Sequence, residues 1–196
     1  MKVEPIVLEG SVVRLEPMTE EHVDALWEVG NVELLWRLIP TKVASLDDMK
    51  RYVDIALGDR DRGVALPFVT IERSSGKVIG STRFGNIDTT HLRTEIGWTW
   101  INPNWQRTAV NTEAKLLMLT HAFETWKCIR VELKTDALNE RSRNAIMRIG
   151  AKPEGIFRNH MITETGRYRN SAYFSIIDTE WDDVKFGLIE KLRAYQ

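Results

Sequence analysis

W-T-W-I-N-P-N-W-Q-R-T-A-V-N-T-E-A-K, running from Trp98 to Lys115, decides how this chain reads. An apolar run ending at Ile101 predicts a strand. Asn102, Pro103, Asn104, Trp105 and Gln106 then carry turn chemistry. Small and polar residues follow at Thr108, Ala109 and Asn111, and a helical pattern begins at about Thr112. A strand that breaks into a small-residue loop and opens a helix leaves the first amides of that helix unpaired. Those amides, with the helix dipole, make a seat for phosphate. The stretch points to a phosphate-bearing ligand.

Working outward, the helix over 112–126 places Ala114, Leu117, Met118, His121, Ala122 and Phe123 at helical spacing. A strand over 129–135 follows it. Strand, helix and strand in that order form a crossover unit, so strands 94–101 and 129–135 are expected to run parallel. Upstream, 65–72 and 78–84 pair as a hairpin around Ser74-Ser75-Gly76-Lys77. Before them lie a first strand over 11–15, a helix capped by Thr19, a short helical piece over 33–39 and a helix capped by Ser45. Downstream, Asn139 to Ile149 reads as a short helix stopped by Gly150. Strands 156–162 and 168–178 close a hairpin, and a last helix follows Thr179. The pattern predicts an α+β, or mixed α/β, fold with a central mixed sheet of about seven strands flanked by helices. No repeat, linker or composition shift divides it, so a single domain over 1–196 is expected.

The totals exclude several classes. Lys plus Arg number 27 against 28 Asp plus Glu, for a net charge of −1. That balance argues against a nucleic-acid partner. No apolar run approaches the roughly 20 residues that span a bilayer. The start, M-K-V-E-P-I-V-L-E-G, lacks an apolar signal-peptide core, so a cytoplasmic location is expected. The single cysteine, Cys128, is expected to pack as a small apolar residue. His22, His91, His121 and His160 show no metal-ligand spacing, so no metal is expected.

With these residues in hand, the chain resembles the GNAT N-acetyltransferases, in the branch similar to the RimJ/RimL ribosomal-protein acetyltransferases. Three segments carry the resemblance. They are E-I-G-W-T-W-I-N-P-N-W-Q; the loop Gln106-Arg107-Thr108-Ala109-Val110-Asn111, matching a Gln/Arg-x-x-Gly-x-Gly/Ala pattern; and the segment Asn139 to Ala151, matching N-x-x-S-x-x-x-x-x-x-x-G. The loop departs from the pattern twice, with Ala109 in place of the first Gly and Asn111 in place of the second Gly/Ala. Ala109 is tolerable if its φ is negative, and Asn111 accepts left-handed dihedrals better than most residues.

The resemblance implies a fold with a splayed parallel strand pair. It also implies direct transfer of an acetyl or other short acyl group from acyl-CoA to a primary amine of a small molecule or a protein N-terminus. The alternative is a non-catalytic CoA-binding or scaffold protein of the same fold. Acetyl-CoA would pair with the backbone of Trp100 and Ile101. Its pyrophosphate would lie on Gln106, Arg107, Thr108, Ala109, Val110, Asn111 and Thr112, with Asn139 and Ser142 beside the arm. Glu95 is the implied general base, and Ser142 the hydrogen-bond donor to the leaving sulfur in place of the tyrosine many relatives use. The resemblance also implies a homodimer.

Plainer roles compete. Glu95 would equally suit a sheet residue or an ion pair with Arg83 or Arg93, and Asn139 and Ser142 a local helix cap. Arg130, Arg141, Arg143 and Arg148 would either grip the 3′-phosphate or form a solvated face. Trp98, Trp100 and Trp126 read as core. Strand alternation puts Glu95, Gly97 and Thr99 on one face and Ile96, Trp98 and Trp100 on the other. The acceptor pocket is expected from residues 20–57 and 156–172, where Glu33, Asp47, Asp48 or Glu164 would receive an ammonium. Trp100 and Phe84 are expected to bound the acyl pocket.

Overall fold

A computed structural model describes residues 1–195. Its centre is an eight-stranded sheet in the order β1-β2-β3-β4-β5-β6-β8-β7. The strands are β1 (Leu8–Glu9), β2 (Val13–Pro17), β3 (Leu66–Glu72), β4 (Val78–Asp88), β5 (Arg93–Ile101), β6 (Arg130–Asp136), β7 (Lys152–Ile162) and β8 (Tyr168–Ile177). Seven correspond to strands expected from the sequence; β1, at two residues, is too short to leave a periodic signal. The helices are α1 (Val23–Gly30), α2 (Glu33–Trp36), α3 (Leu46–Asp61), α4 (Val110–Thr120), α5 (Glu140–Arg148) and α6 (Trp181–Arg193). Ser45 caps α3 by accepting the Asp48 amide at 3.1 Å, and Gly150 ends α5's segment at φ 101.

Strands β5 and β6 are parallel, joined by α4 as the crossover rule requires. Their paired register covers Arg93 to Glu95 against Arg130 to Glu132. Beyond Glu95, β5 stays paired with β4 while β6 stays paired with β8. The sheet is thus open between Ile96–Ile101 and Leu133–Asp136.

Two cores cover the two faces. Phe84, Ile96, Ile101, Ala114, Met118 and Trp181 belong to one, under α4 and α6. Tyr52, Val53, Val69, Trp36 and Trp100 belong to the other, under α1 to α3. Ile96 and Trp100 are therefore on opposite faces, against the simple alternation. The cause is a bulge: Ser81 pairs with Trp100 but Arg83 pairs with Gly97, so two residues of β5 oppose one of β4. Trp98 takes the irregular backbone, at φ 49. The same bulge separates Phe84 from Trp100, so these two cannot bound one pocket. Trp98 is half-buried at the rim of the opening rather than in the core. His121 is packed against Phe84 and Trp126, with ring centroids 6.1 Å and 4.8 Å away, and burial lowers its pKa. Burial pushes the Cys128 thiol up to about 11, which leaves it inert.

Candidate active site

The opening between β5 and β6 leads into the loop and the start of α4. The helix begins at Val110, two residues before its expected start, with Ala109 as its cap at φ −63. Ala109 thus stands in ordinary right-handed backbone, and glycine is not required there. The left-handed residue of the loop is Arg107, at φ 63, not Asn111, which lies in the first turn of α4. Thr108 sets the entry: its hydroxyl donates to the Trp105 carbonyl at 2.7 Å and accepts the Val110 amide at 3.3 Å. Among the described residues no protein acceptor engages the amides of Asn111 and Thr112. Free first-turn amides and half-exposed Asn111 suit a phosphate.

Three loop side chains are committed elsewhere. Gln106 donates from Nε2 to the Ile101 carbonyl at 2.6 Å, accepts from Arg141 at Oε1, and its own amide donates to Pro103. It braces the loop against the strand end, and it occupies the Ile101 carbonyl that was expected to face a ligand. Thr112 is fully buried and accepts from Arg148 at 2.9 Å. Val110 is buried in the core under α4. Arg141 and Arg148 are therefore ties between α5 and the loop, and Arg130 pairs with Glu132 and Glu154 at 2.9 Å and 2.7 Å. Arg143 donates to the Ala137 carbonyl at 3.3 Å.

Asn139 is the cap of α5, its Oδ1 accepting the Ser142 amide at 3.0 Å. The N-x-x-S spacing has a local cause, since a cap side chain reaches the amide three residues on. Both residues are half-buried, and the Ser142 hydroxyl is left for another partner. Asn139→Ala should cost about 1 kcal/mol of stability by removing this cap, read as a lowered melting temperature.

Glu95 is the last residue of β5 paired with β6, at 2% exposure. It pairs with neither Arg83 nor Arg93. Its Oε2 forms an ion pair with Lys134 Nζ at 2.9 Å and accepts from Asn86 Nδ2 at 2.8 Å. Lys134, on β6, also lies 5.8 Å from the Trp98 ring centroid, and Arg83 lies 4.9 Å from it on β4. Glu95, Lys134 and Trp98 therefore meet at the vertex of the opening, where a buried carboxylate is held by a cation and an amide. Lys134 and Asn86 escaped sequence reading because neither belongs to a motif; only the register of β6 against β5 brings Lys134 to Glu95.

The acidic residues expected to receive an ammonium are differently placed. Asp48 accepts the Ala44 amide and Glu164 accepts the Lys42 amide, both at 2.9 Å, so both serve local structure. Glu33 and Asp47 are exposed.

A loop of free amides at the mouth of a splayed strand pair, with a buried carboxylate at its vertex, matches the geometry the resemblance implies. Residues 13–152 match the family described as the acetyltransferase (GNAT) domain. The chain belongs to the GNAT acetyltransferase family. Accordingly, it is an acyl-CoA-dependent N-acetyltransferase. It is similar to a GCN5-related N-acetyltransferase from Brucella melitensis, 32% identical, with a TM-score of 0.91 over 98% of this chain and 87% of that one. It is 27% identical over 158 residues to YnaD of Bacillus subtilis (strain 168), an uncharacterized N-acetyltransferase, covering 81% of this chain and 89% of YnaD. YdaF of the same strain, whose name proposes ribosomal N-acetyl transfer, is 30% identical over 110 residues, 56% of this chain and 59% of YdaF. RimL, a ribosomal L7/L12 alpha-N-protein acetyltransferase, shares the fold at a TM-score of 0.78 and 18% identity over 88% of this chain and 94% of that one. These relatives support the RimJ/RimL-like branch of the GNAT family. Among the described residues no helix is long and apolar enough to cross a membrane.

Proposed function

We propose that this GNAT chain acts as a single domain that moves an acetyl or other short acyl group from acyl-CoA to a primary amine, with both substrates bound together. The observation that carries the reading is the edge of β5 that β6 leaves uncovered after Glu95, followed beyond the Gln106 brace by the free amides of Asn111 and Thr112. That edge fits a pantetheine arm followed by a pyrophosphate. Backbone donors that stand ready before reaction stabilise charge gained by a thioester oxygen.

Three groups of this chain act on the reacting atoms. Glu95 takes a proton from the ammonium, leaving a neutral amine to attack. The main chain of β5 holds the thioester at the opening. Ser142 donates a hydrogen bond toward the departing sulfur from the first turn of α5. The acceptor is a small-molecule amine or a protein N-terminus. An α-amine, with a pKa near 7.7–8.0, needs less help from a base than a lysine at about 10.4. The single buried cysteine suits a cytoplasmic setting, and a homodimer accords with the family resemblance.

Acetyl-CoA at a hundredfold excess over Kd should stabilise the protein by about 2.7 kcal/mol, seen as a raised melting temperature. Asn111→Asp, which sets a negative charge at the phosphate seat, should abolish most of that shift. Glu95→Gln should keep the shift and lower CoA release about a hundredfold. A melting temperature unmoved by saturating acetyl-CoA would sink the cofactor reading; full turnover in Glu95→Gln would remove Glu95 as base.

A further inference from the structure

Glu95 is nearly sealed from solvent, so a proton it accepts needs a way out. A chain of polar contacts leads from it across the sheet. Lys134 Nζ lies 2.9 Å from Glu95 Oε2 and 5.8 Å from the ring centroid of Tyr173, its partner in register on β8. Tyr173 OH lies 3.4 Å from His160 Nε2, and His160 Nδ1 lies 3.0 Å from the hydroxyl of buried Ser171. His160 is brought inward by an irregularity of β7: its register with β8 shifts between Phe157 and Met161, and Asn159 takes φ 48. Phe157 stacks on Tyr173 at 4.4 Å, and the His160 ring meets both edge-on at 5.5 Å. The imidazole is thus fixed on both sides. Its outer side lines an open cavity of about 790 Å³ with Phe157, Arg158, Asn159 and Asn170.

We propose that Lys134, Tyr173 and His160 form a proton exit from Glu95 to the cavity on the β7–β8 side. The proposal rests on the reading of Glu95 as proton acceptor. The proton count closes. Glu95 takes one proton from the ammonium. It passes one to Lys134 as Lys134 passes one to the Tyr173 oxygen and Tyr173 passes its own to His160 Nε2. Glu95 is again a carboxylate, Lys134 an ammonium and Tyr173 a phenol, and His160, now an imidazolium, releases the proton to water in the cavity. The route requires the neutral tautomer in which Nδ1–H donates to Ser171 Oγ and Nε2 accepts from Tyr173. The groups facing His160 favour a neutral ring ready to accept: burial lowers its pKa most, then Lys134 on β6 and Arg169 on β8, with Glu95 on β5 opposing, while Arg158 on its own strand shares the cavity. Burial also raises the Tyr173 pKa, so its hydroxyl stays protonated between turnovers.

The test compares the full chain with Tyr173→Phe, His160→Ala and Glu95→Gln. CoA release is followed from pH 6 to 9 with acetyl-CoA and the faster amine among amino-acid amides and lysine-free tripeptides, whose α-amines have pKa values near 7.7–8.0. Tyr173→Phe and His160→Ala should each lower kcat about tenfold at pH 7. The loss should shrink toward pH 9, where the amine arrives neutral, with KM for acetyl-CoA unchanged. Added imidazole should restore His160→Ala in a saturable way, which a merely structural loss would not show. Wild-type kcat in Tyr173→Phe beside a lowered rate in Glu95→Gln would overturn the exit and leave Glu95 as base. Wild-type kcat in Glu95→Gln would overturn the base reading itself. One readout needs no acceptor: nitrogen-15 shifts should show a neutral His160 ring protonated on Nδ1, and a ring protonated on Nε2 would overturn the route.

Discussion

Glu113→Ala should destabilise the protein by about 3–5 kcal/mol, one of the largest losses any single side-chain truncation will cause here. Glu113 sits in the first turn of α4, where the dipole favours a carboxylate, yet it is buried. Its two oxygens accept four hydrogen bonds from the segment that leads into β2. Oε1 takes the Ser11 amide at 2.8 Å and the Ser11 hydroxyl at 2.7 Å; Oε2 takes the Val12 and Val13 amides at 2.6 Å and 2.7 Å. Truncation leaves three main-chain donors without a protein acceptor, and that of Val13 is fully buried. Donors to a charged acceptor are worth about 1.5–3 kcal/mol each, so even partial rehydration leaves a large deficit. For a chain of this size the melting temperature should fall by roughly 10 °C. Glu113→Gln should be nearly as harmful, because its NH2 would face two amide donors. Gly10→Ala should share the phenotype, since a Cβ there would overlap the Glu113 carboxylate. A loss under about 1 kcal/mol in Glu113→Ala, measured by calorimetry, would show that the segment is held by its apolar contacts instead.

Glu113 also shows where the sequence stops speaking. Period-2 and period-3.6 patterns were enough for seven strands, the helices between them and the parallel crossover, because each is written in its own residues. Ser45 and Gly150 were legible for the same reason: a cap is a local event. The bulge at Trp98 was not. A bulky residue at φ 49 violates local preference and exists because the flanking register on β4 is fixed on both sides. That single insertion reversed the faces of the half of β5 that follows it. Arg107 hid in the same way, carrying the left-handed backbone that composition would assign to Asn111. The unpaired first-turn amides behind the loop were legible, but the loop's side chains were not: Gln106 and Thr112 turned inward to Ile101 and Arg148. Contacts between distant strands left no trace in either segment, so Lys134 beside Glu95 and His160 beside Tyr173 appear only once the strands are paired.

Lys115 marks the opposite case from Glu113, a charge whose removal should help. It lies two residues further along α4, 4% exposed, pointing at the sheet rather than at the N-terminal segment. Its Nζ donates to the hydroxyls of Thr99 at 2.9 Å and Thr82 at 3.2 Å. Neither partner is an anion, so nothing offsets the loss of hydration, and burial lowers its pKa from 10.5 to about 7. At pH 7 the unfolded chain holds this lysine charged while the folded chain resists the charge. A shift of that size is worth about 4–5 kcal/mol at 1.36 kcal/mol per pKa unit, as an upper bound. Lys115→Met keeps the length and bulk, sits beside Met118 in the same core, and leaves Thr82 and Thr99 bonded to each other at 2.7 Å. The variant should therefore melt higher than wild type at pH 7, by up to roughly 10 °C. The penalty is full at pH below about 7 and fades as pH climbs toward 10.5, because the unfolded lysine then loses its proton as well. The advantage of Lys115→Met should accordingly be largest at pH 6 to 7 and nearly gone by pH 10. Thr99 follows the bulge at Trp98, so the ammonium is also a tie between α4 and the edge of the opening. If Lys115→Met melts higher yet releases CoA more slowly, with an unchanged acetyl-CoA shift, the lysine trades stability for a rigid β5. If it melts lower than wild type across the whole pH range, the two threonine contacts outweigh desolvation and the argument from burial fails.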